Sequence, residues 1–270
     1  KAGLTGIVGQ VMRSGGTKKR NGDALNAKLE LIAATVEAGI GDDSGSVGFN
    51  CLKENFDEVL ELFKEVIVEP AFPQDRLDLV LTQTRSGISR RNDDPGGILN
   101  REFQNLVYGK ETAYGDREEY ATIANVKRED LVAFHDRYFF PANAMLSIYG
   151  DVDTAAVKAK LEKLFADWTT QRPAAPAFPS VTKQKVAGVY IAEKPDTEQT
   201  FFTIGHIGGK LSDKDYAALT VMSNILGGAG TFSNRLMQSI RSDKSLAYGI
   251  SSTWSADYLL EGTFRITGST

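Results

Sequence analysis

Histidine and cysteine are almost missing from these 270 residues, with two of the first and one of the second. The lone Cys51 excludes an internal disulfide and any cysteine-based metal cluster. His135 and His206 stand far apart, and neither His-Glu-x-x-His nor the reversed His-x-x-Glu-His occurs. No helix can therefore present two imidazoles at i and i+4 beside a carboxylate base, so zinc chemistry by this chain alone is not expected. Apolar runs stay well short of the roughly 18 residues that would span a bilayer, and no transmembrane segment is expected. Basic residues give no excess: 31 Lys and Arg against 35 Asp and Glu leave a net charge of −4, which argues against a nucleic-acid partner. Proline is sparse, eight in all, yet three of them fall between Thr169 and Ser180. That stretch has no apolar period and reads as a linker.

What remains is an ordinary globular composition, long enough for one large domain or two smaller ones. Apolar spacing predicts helices over 24–37, 55–67, 73–92, 97–107, 117–124, 127–138 and 152–166, with strands over 44–52 and 141–150. Asn55 is a candidate cap, and Asp93-Asp94-Pro95-Gly96-Gly97 a breaker. After the linker come strands near 186–193 and 199–207, helices at 212–226 and 231–241, and strands near 247–255 and 258–267. The expected class is α+β, with helices on one face of a mainly antiparallel sheet. The division is residues 1–168, a linker at 169–181, and a second unit over 182–270.

Local candidates for chemistry are few. His135, in an aromatic helix end, and His206, in an apolar strand, read as structural histidines, since one imidazole makes no site. Cys51 has no base beside it in sequence and reads as a core thiol. Ser86 and Ser233 lack a nucleophile-elbow context. Gly227-Gly-Ala-Gly230 could cradle a phosphate, but no strand precedes it and no Gly-Lys-Ser/Thr follows, so it reads as a helix end and turn. Asp42, Asp43, Asp93 and Asp94 could hold a hard cation, with solvated turns as the plainer reading.

Several segments together carry a resemblance. Gly3-Leu-Thr-Gly-Ile-Val-Gly-Gln-Val-Met12, followed by Gly16-Thr17, looks like a helix that elsewhere reads Gly-Leu-Ala-His-Leu-Leu-Glu-His-Met, then Gly-Thr. Asp94-Pro95, Tyr108-Gly109, Tyr114-Gly115, Phe134-His135, Pro141-Ala-Asn-Ala-Met145 and Gly150-Asp151 fit the same pattern. So do Ile225 to Leu236 and the stretch Arg241 through Leu246-Ala-Tyr248. On these the chain resembles the pitrilysin/insulinase superfamily of zinc metallopeptidases (peptidase family M16), in its bacterial and mitochondrial-processing-peptidase-like branch.

The resemblance implies two homologous LuxS/metallohydrolase-like domains, the first lacking its opening strands and the second cut short as the sequence ends. By this alignment Gly6 and Gln10 replace the two zinc histidines and Gly9 the catalytic glutamate. The remaining zinc ligand, a glutamate about 75 residues later near Thr82-Gln83-Thr84, is gone too, because no glutamate occurs between Glu69 and Glu102. Glycine and glutamine offer neither an imidazole nor a carboxylate base. Arg241 and Tyr248 keep the family's substrate-binding pair, whose implied role is hydrogen bonding to a peptide backbone or to the oxyanion at the scissile carbonyl. The plainer alternative has Arg241 at a helix C-terminus and Tyr248 packed as a strand aromatic.

The expectations that follow are no cofactor in this chain and zinc only in a homologous, motif-bearing partner subunit. A peptide is the expected substrate, a homodimer is an option, and the periplasm leads the cytoplasm as location. A structural protein built on the same fold is the competing reading. The chain begins without an initiator Met or signal-peptide core and is taken as a fragment of something longer.

Overall fold

The computed structural model describes residues 1–41, 43–112, 114–177, 179, 181, 187–228 and 233–270. In chain order the elements are α1 (Leu4–Ser14), α2 (Gly22–Leu31), β1 (Thr35–Ile40), β2 (Gly45–Asn50), α3 (Phe56–Val68), α4 (Gln74–Arg90) and α5 (Pro95–Tyr108). They continue with α6 (Tyr120–Ile123), α7 (Arg128–Tyr138), α8 (Thr154–Leu164), β3 (Phe201–Ile207), α9 (Tyr216–Gly227), β4 (Gly249–Trp254) and β5 (Thr263–Ser269). Short 3-10 turns lie at Lys53–Asn55 and Pro141–Asn143, and a π-helical turn at Met237–Ser242. No helix among the described residues is long and apolar enough to cross a membrane.

Two compact units result, Lys1–Ile88 with Arg117–Ala177, and Ser89–Asp116 with Phe178–Thr270. The first is built on the antiparallel hairpin β1–β2, which pairs Val36 with Phe49 and Ala38 with Val47. Those side chains meet the apolar stripe of α1 (Ile7, Val8, Val11, Met12) and that of α3, forming the larger core. Burial of such aliphatic side chains contributes about 1.5–3 kcal/mol each, so this core holds α1 in place far more firmly than helix propensity could. The loop after α1 is tied down as well. Buried Glu65 accepts from the Arg20 guanidinium at 3.0 Å and from the Thr17 hydroxyl at 3.2 Å, with the Lys19 ammonium 3.5 Å away.

The second unit holds a three-stranded antiparallel sheet in the order β3-β5-β4. Helix α9 packs on β4, and α5 packs on β3. The start of α5 follows from its sequence: Asp94 accepts from the amides of Gly96 and Gly97, and Pro95 takes the first helical position, where no amide is needed. The class is therefore α+β with antiparallel sheets, as expected from the order of elements.

Several expectations are corrected by the packing. The helix read over 24–37 stops at Leu31, and Thr35–Ile40 is a strand. Ala33 turns left-handed (φ 49°), and the Ala34 amide closes the turn on the Leu29 carbonyl at 2.9 Å. β-Branched Thr35 and Val36 then enter a strand, where Val36 is fully buried. Asn55 stands at the N-cap position of α3 as read, but its side chain makes no capping bond to that helix; its amide donates to the Ile32 carbonyl at 3.2 Å. Residues 144–149 and 187–193, both read as strands, have no ladder partner among the described residues; residue 186 lies outside them. Alternation supplies a strand's side chains but not its hydrogen-bond partner. The linear division at 169–181 also differs from the division in space, since Ser89–Asp116 packs with the second unit through α5 on β3.

Candidate functional site

Helix α1 places the three aligned motif positions in different surroundings. Gln10 is exposed and Gly6 half-buried, one turn apart on the helix, while Gly9 is buried. A Cβ at Gly6 would meet nothing within 4 Å, whereas one at Gly9 would lie 2.9 Å from the Ile40 amide nitrogen and 3.3 Å from Gly39 atoms. Backbone of β1 occupies that space. On α4, the hydroxyls of Thr82 and Thr84 bond back to the carbonyls of Asp78 and Val80, both at 2.8 Å.

In the second unit the structure brings Arg241 and Tyr248 together. The guanidinium carbon sits 4.8 Å from the centre of the Tyr248 ring. Arg241 belongs to the π-helical turn Met237–Ser242, in which the Asp243 amide reaches back five residues to the Gln238 carbonyl at 2.9 Å. Such turns recur at functional sites. Ser245 then adopts φ 55°, a left-handed conformation usually left to glycine. This lets the Leu246 amide bond the Ile240 carbonyl at 2.9 Å and the Ser245 amide bond that of Arg241 at 3.1 Å, closing the helix end. Ala247 is buried beyond the turn, and Tyr248 emerges 79% exposed just before β4 begins. Tyr248 is thus exposed rather than packed, while Arg241 occupies the last turn of its helix, as the plainer alternative had it.

Asn234 supports this turn from below. It is buried, its side chain accepts from the Met237 amide at 2.8 Å, and it donates to the Gly228 carbonyl at 3.2 Å. Asn234 falls inside the helix expected over 231–241; the preference of Asn for helix starts is the signal that could have marked it as a cap. Nothing in the sequence signalled the π turn or the left-handed Ser245.

The other candidates are engaged in local contacts, with His206 exposed where a packed histidine was expected. The His135 ring nitrogen Nε2 lies 2.7 Å from the Ile67 carbonyl, and the ring stacks on Phe139 with centroids 4.7 Å apart. Burial lowers its pKa. His206 is exposed on β3 and bonds the carbonyl of its own neighbour, Ile207, at 2.7 Å. Cys51 packs against the first core, and burial raises its thiol pKa, the opposite of an activated nucleophile. Gly227 and Gly228 end α9; Ala229 and Gly230 lie outside the described residues. Asp94 is committed to capping α5, Asp93 pairs with Arg90 at 3.5 Å, and Asp43 accepts from Ser44 at 3.0 Å; Asp42 lies outside the described residues.

Two α+β units, one with an Arg–Tyr turn and one with a helix that offers no metal donor at 6, 9 or 10, make up the fold. A solved structure, the peptidase M16 inactive domain from Pseudomonas fluorescens, matches all of this chain and 65% of its own, with a TM-score of 0.90 at 24% identity. The chain belongs to peptidase family M16: the model for the peptidase M16 inactive domain matches residues 125–270, and that for insulinase (peptidase family M16) matches residues 2–110. An "uncharacterized zinc protease" of Rickettsia bellii (strain RML369-C) is 25% identical over 94% of this chain and 60% of its own length. The "non-peptidase homolog YmxG" of Helicobacter pylori (strain ATCC 700392 / 26695) is 26% identical over 92% of this chain and 56% of its own. The mitochondrial-processing peptidase subunit alpha of Caenorhabditis elegans is 23% identical over 86% and 49%. This chain thus spans about half to three-fifths of the length of these relatives.

Zinc is the metal that the relatives' names imply, and the residues present do not fit it. The aligned positions offer two glycines and one amide, and backbone fills the space beside Gly9. Among the described residues no three His, Cys, Asp or Glu side chains converge on a point where a metal ion could sit. Imidazole, thiolate or carboxylate donors are what zinc requires.

Proposed function

We propose that this chain is the non-catalytic, peptide-binding subunit of a two-chain zinc metallopeptidase. A homologous partner carrying the zinc motif would supply metal and base, and Arg241 and Tyr248 would hold the peptide. The observation carrying this reading is the Arg241–Tyr248 pair, kept together at 4.8 Å on an exposed, specially closed turn, in a family member whose aligned metal positions hold no donor. The guanidinium brings forked donors of fixed geometry, and the phenol adds one more. Their mutual stacking holds both in place before a peptide arrives, which lowers the ordering cost of binding. Donors so placed suit a peptide carbonyl, and suit better the negative oxygen formed when that carbonyl is attacked. A relative named as a subunit, the alpha subunit of the C. elegans processing peptidase, is consistent with a partnered role. Export to the periplasm is part of the proposal.

The test is to purify the protein gently from its host, identify what travels with it, and assay the complex for peptide cleavage. Recovery with a partner bearing His-x-x-Glu-His is expected. Arg241→Ala with Tyr248→Phe should then lower turnover by about 100-fold or more, the scale seen when an oxyanion donor is removed. A fully active double variant overturns the role of the pair. The name of the H. pylori relative, a non-peptidase homologue, favours a second reading: a structural protein on the same fold. Recovery alone, or with partners that cleave nothing, would establish it.

A further inference from the structure

Helix α1 carries two interior glycines, Gly6 and Gly9, at positions where each costs helix stability relative to alanine. Only one has a visible reason. At Gly9 the helix backbone rides directly on β1, with the Ile40 nitrogen 2.9 Å and Gly39 carbon atoms 3.3 Å from where a Cβ would stand. Both obstacles are backbone atoms of a strand paired with β2 along its whole length, so neither can swing aside as a side-chain tip would. The flanking residues Val8, Val11 and Met12 are fully buried and lock the same approach. Gly6 has nothing within 4 Å, and Gln10 is exposed.

We propose that the loss of catalysis in this chain is built into its backbone: α1 has settled onto β1 so closely that the position of the general base can hold no side chain, while the two metal-ligand positions remain open. Restoring the two ligands carried by α1 is therefore possible, and restoring the base is not. A pair of histidines at 6 and 10 would lie one turn apart on one helix face, the spacing at which two imidazoles share a metal. A glutamate at 9 would have to lift the helix from the strand. The inference rests on the family alignment of α1 that underlies the proposed function, but not on Arg241, Tyr248 or a partner.

Thermal unfolding of the chain by itself tests it, so the result is independent of any peptidase assay. Alanine in place of an unhindered helix glycine ordinarily stabilises, by an amount equivalent to about 2–4 °C in a chain of this size. Gly6→Ala is expected to raise the midpoint by about that much, and Gly9→Ala to lower it. Urea unfolding at low temperature keeps a weakened Gly9→Ala measurable, and failure of that variant alone to fold is the same outcome taken further. Gly6→His with Gln10→His should fold and gain thermal stability on addition of Ni²⁺; adding Gly9→Glu should lower the metal-free midpoint well below that of the double variant. If Gly9→Ala stabilises as Gly6→Ala does, or the triple variant melts with the double, the space at Gly9 is open and the proposal is wrong.

Discussion

The helix aligned with the family's zinc motif and the turn aligned with its substrate-binding motif have been treated in opposite ways by the fold. Around α1 the features that fix the helix face inward: a fully buried apolar stripe, a glycine pressed on a strand, and a following loop anchored on buried Glu65. Around Arg241 the special features face outward: a π-helical turn, a left-handed serine and a tyrosine 79% exposed. Interior features of this kind answer to stability, because packing and buried polar pairing give no benefit beyond the fold. Backbone irregularity that ends in an exposed aromatic costs stability and needs another reason to persist. The difference teaches that a helix can persist where its motif's donors are absent: α1 keeps the helix with no donor at 6, 9 or 10, and the 241–248 turn keeps Arg241 beside Tyr248.

The contrast is tested most severely at Glu65. Replacing it with alanine leaves the Arg20 guanidinium, 3.0 Å away, without its carboxylate, and the Thr17 hydroxyl without its acceptor. Arg20 keeps partial access to water, so losing its partner together with the Thr17 acceptor costs about 1–3 kcal/mol. Urea unfolding should show that loss for Glu65→Ala, while Arg241→Ala, at the exposed turn, should stay within about 1 kcal/mol of the parent. Equal losses at the two places would erase the distinction.

A smaller effect of opposite sign is expected at Ser245. Its φ of 55° costs an L-residue about 1–2 kcal/mol that glycine avoids, less the entropy glycine loses on folding. Ser245→Gly should therefore stabilise by about 0.5–1 kcal/mol in chemical unfolding, with the 241–248 turn unchanged. Destabilisation would mean that the serine side chain contributes something the backbone conformation alone does not.

The smallest effect concerns pH. Burial holds His135 below its ordinary pKa, opposed by the Ile67 carbonyl and Asp136 and assisted by Lys18. The unfolded chain then binds the proton more readily, from about pH 6.5 downward. Stability should fall as pH drops through that value and level off once the folded protein also takes up the proton. Melting at pH 7.5 and pH 5.0 should show a smaller difference for His135→Gln than for the parent. An identical difference would place the pH sensitivity elsewhere.

Much of this was legible in the chain. Helices α3, α4, α5, α7 and α8 follow from apolar spacing and from Asp94-Pro95, because helix formation uses neighbours three and four residues away. The absence of zinc donors is likewise local, a matter of which side chains stand at 6, 9 and 10. Strand β1 was not legible: Ala33 to Val36 looked like more helix until the left-handed turn at Ala33 and the burial of Val36 against α1 decided otherwise. Residues 144–149 and 187–193 failed in the reverse sense, carrying a strand's alternation with no ladder partner among the described residues.

From its residues alone this protein was determined to be an α+β member of its family, with an Arg–Tyr motif kept and a metal motif emptied. Side-chain chemistry and short-range periodicity are properties of the chain itself. Only tertiary structure decided that Gly9 is filled by β1, that α5 serves the second unit, and that Arg241 and Tyr248 meet across a π turn closed by Ser245. Each of these depends on which distant backbone comes to lie alongside, or on a dihedral angle chosen to satisfy the packing around it, and no residue type specifies either.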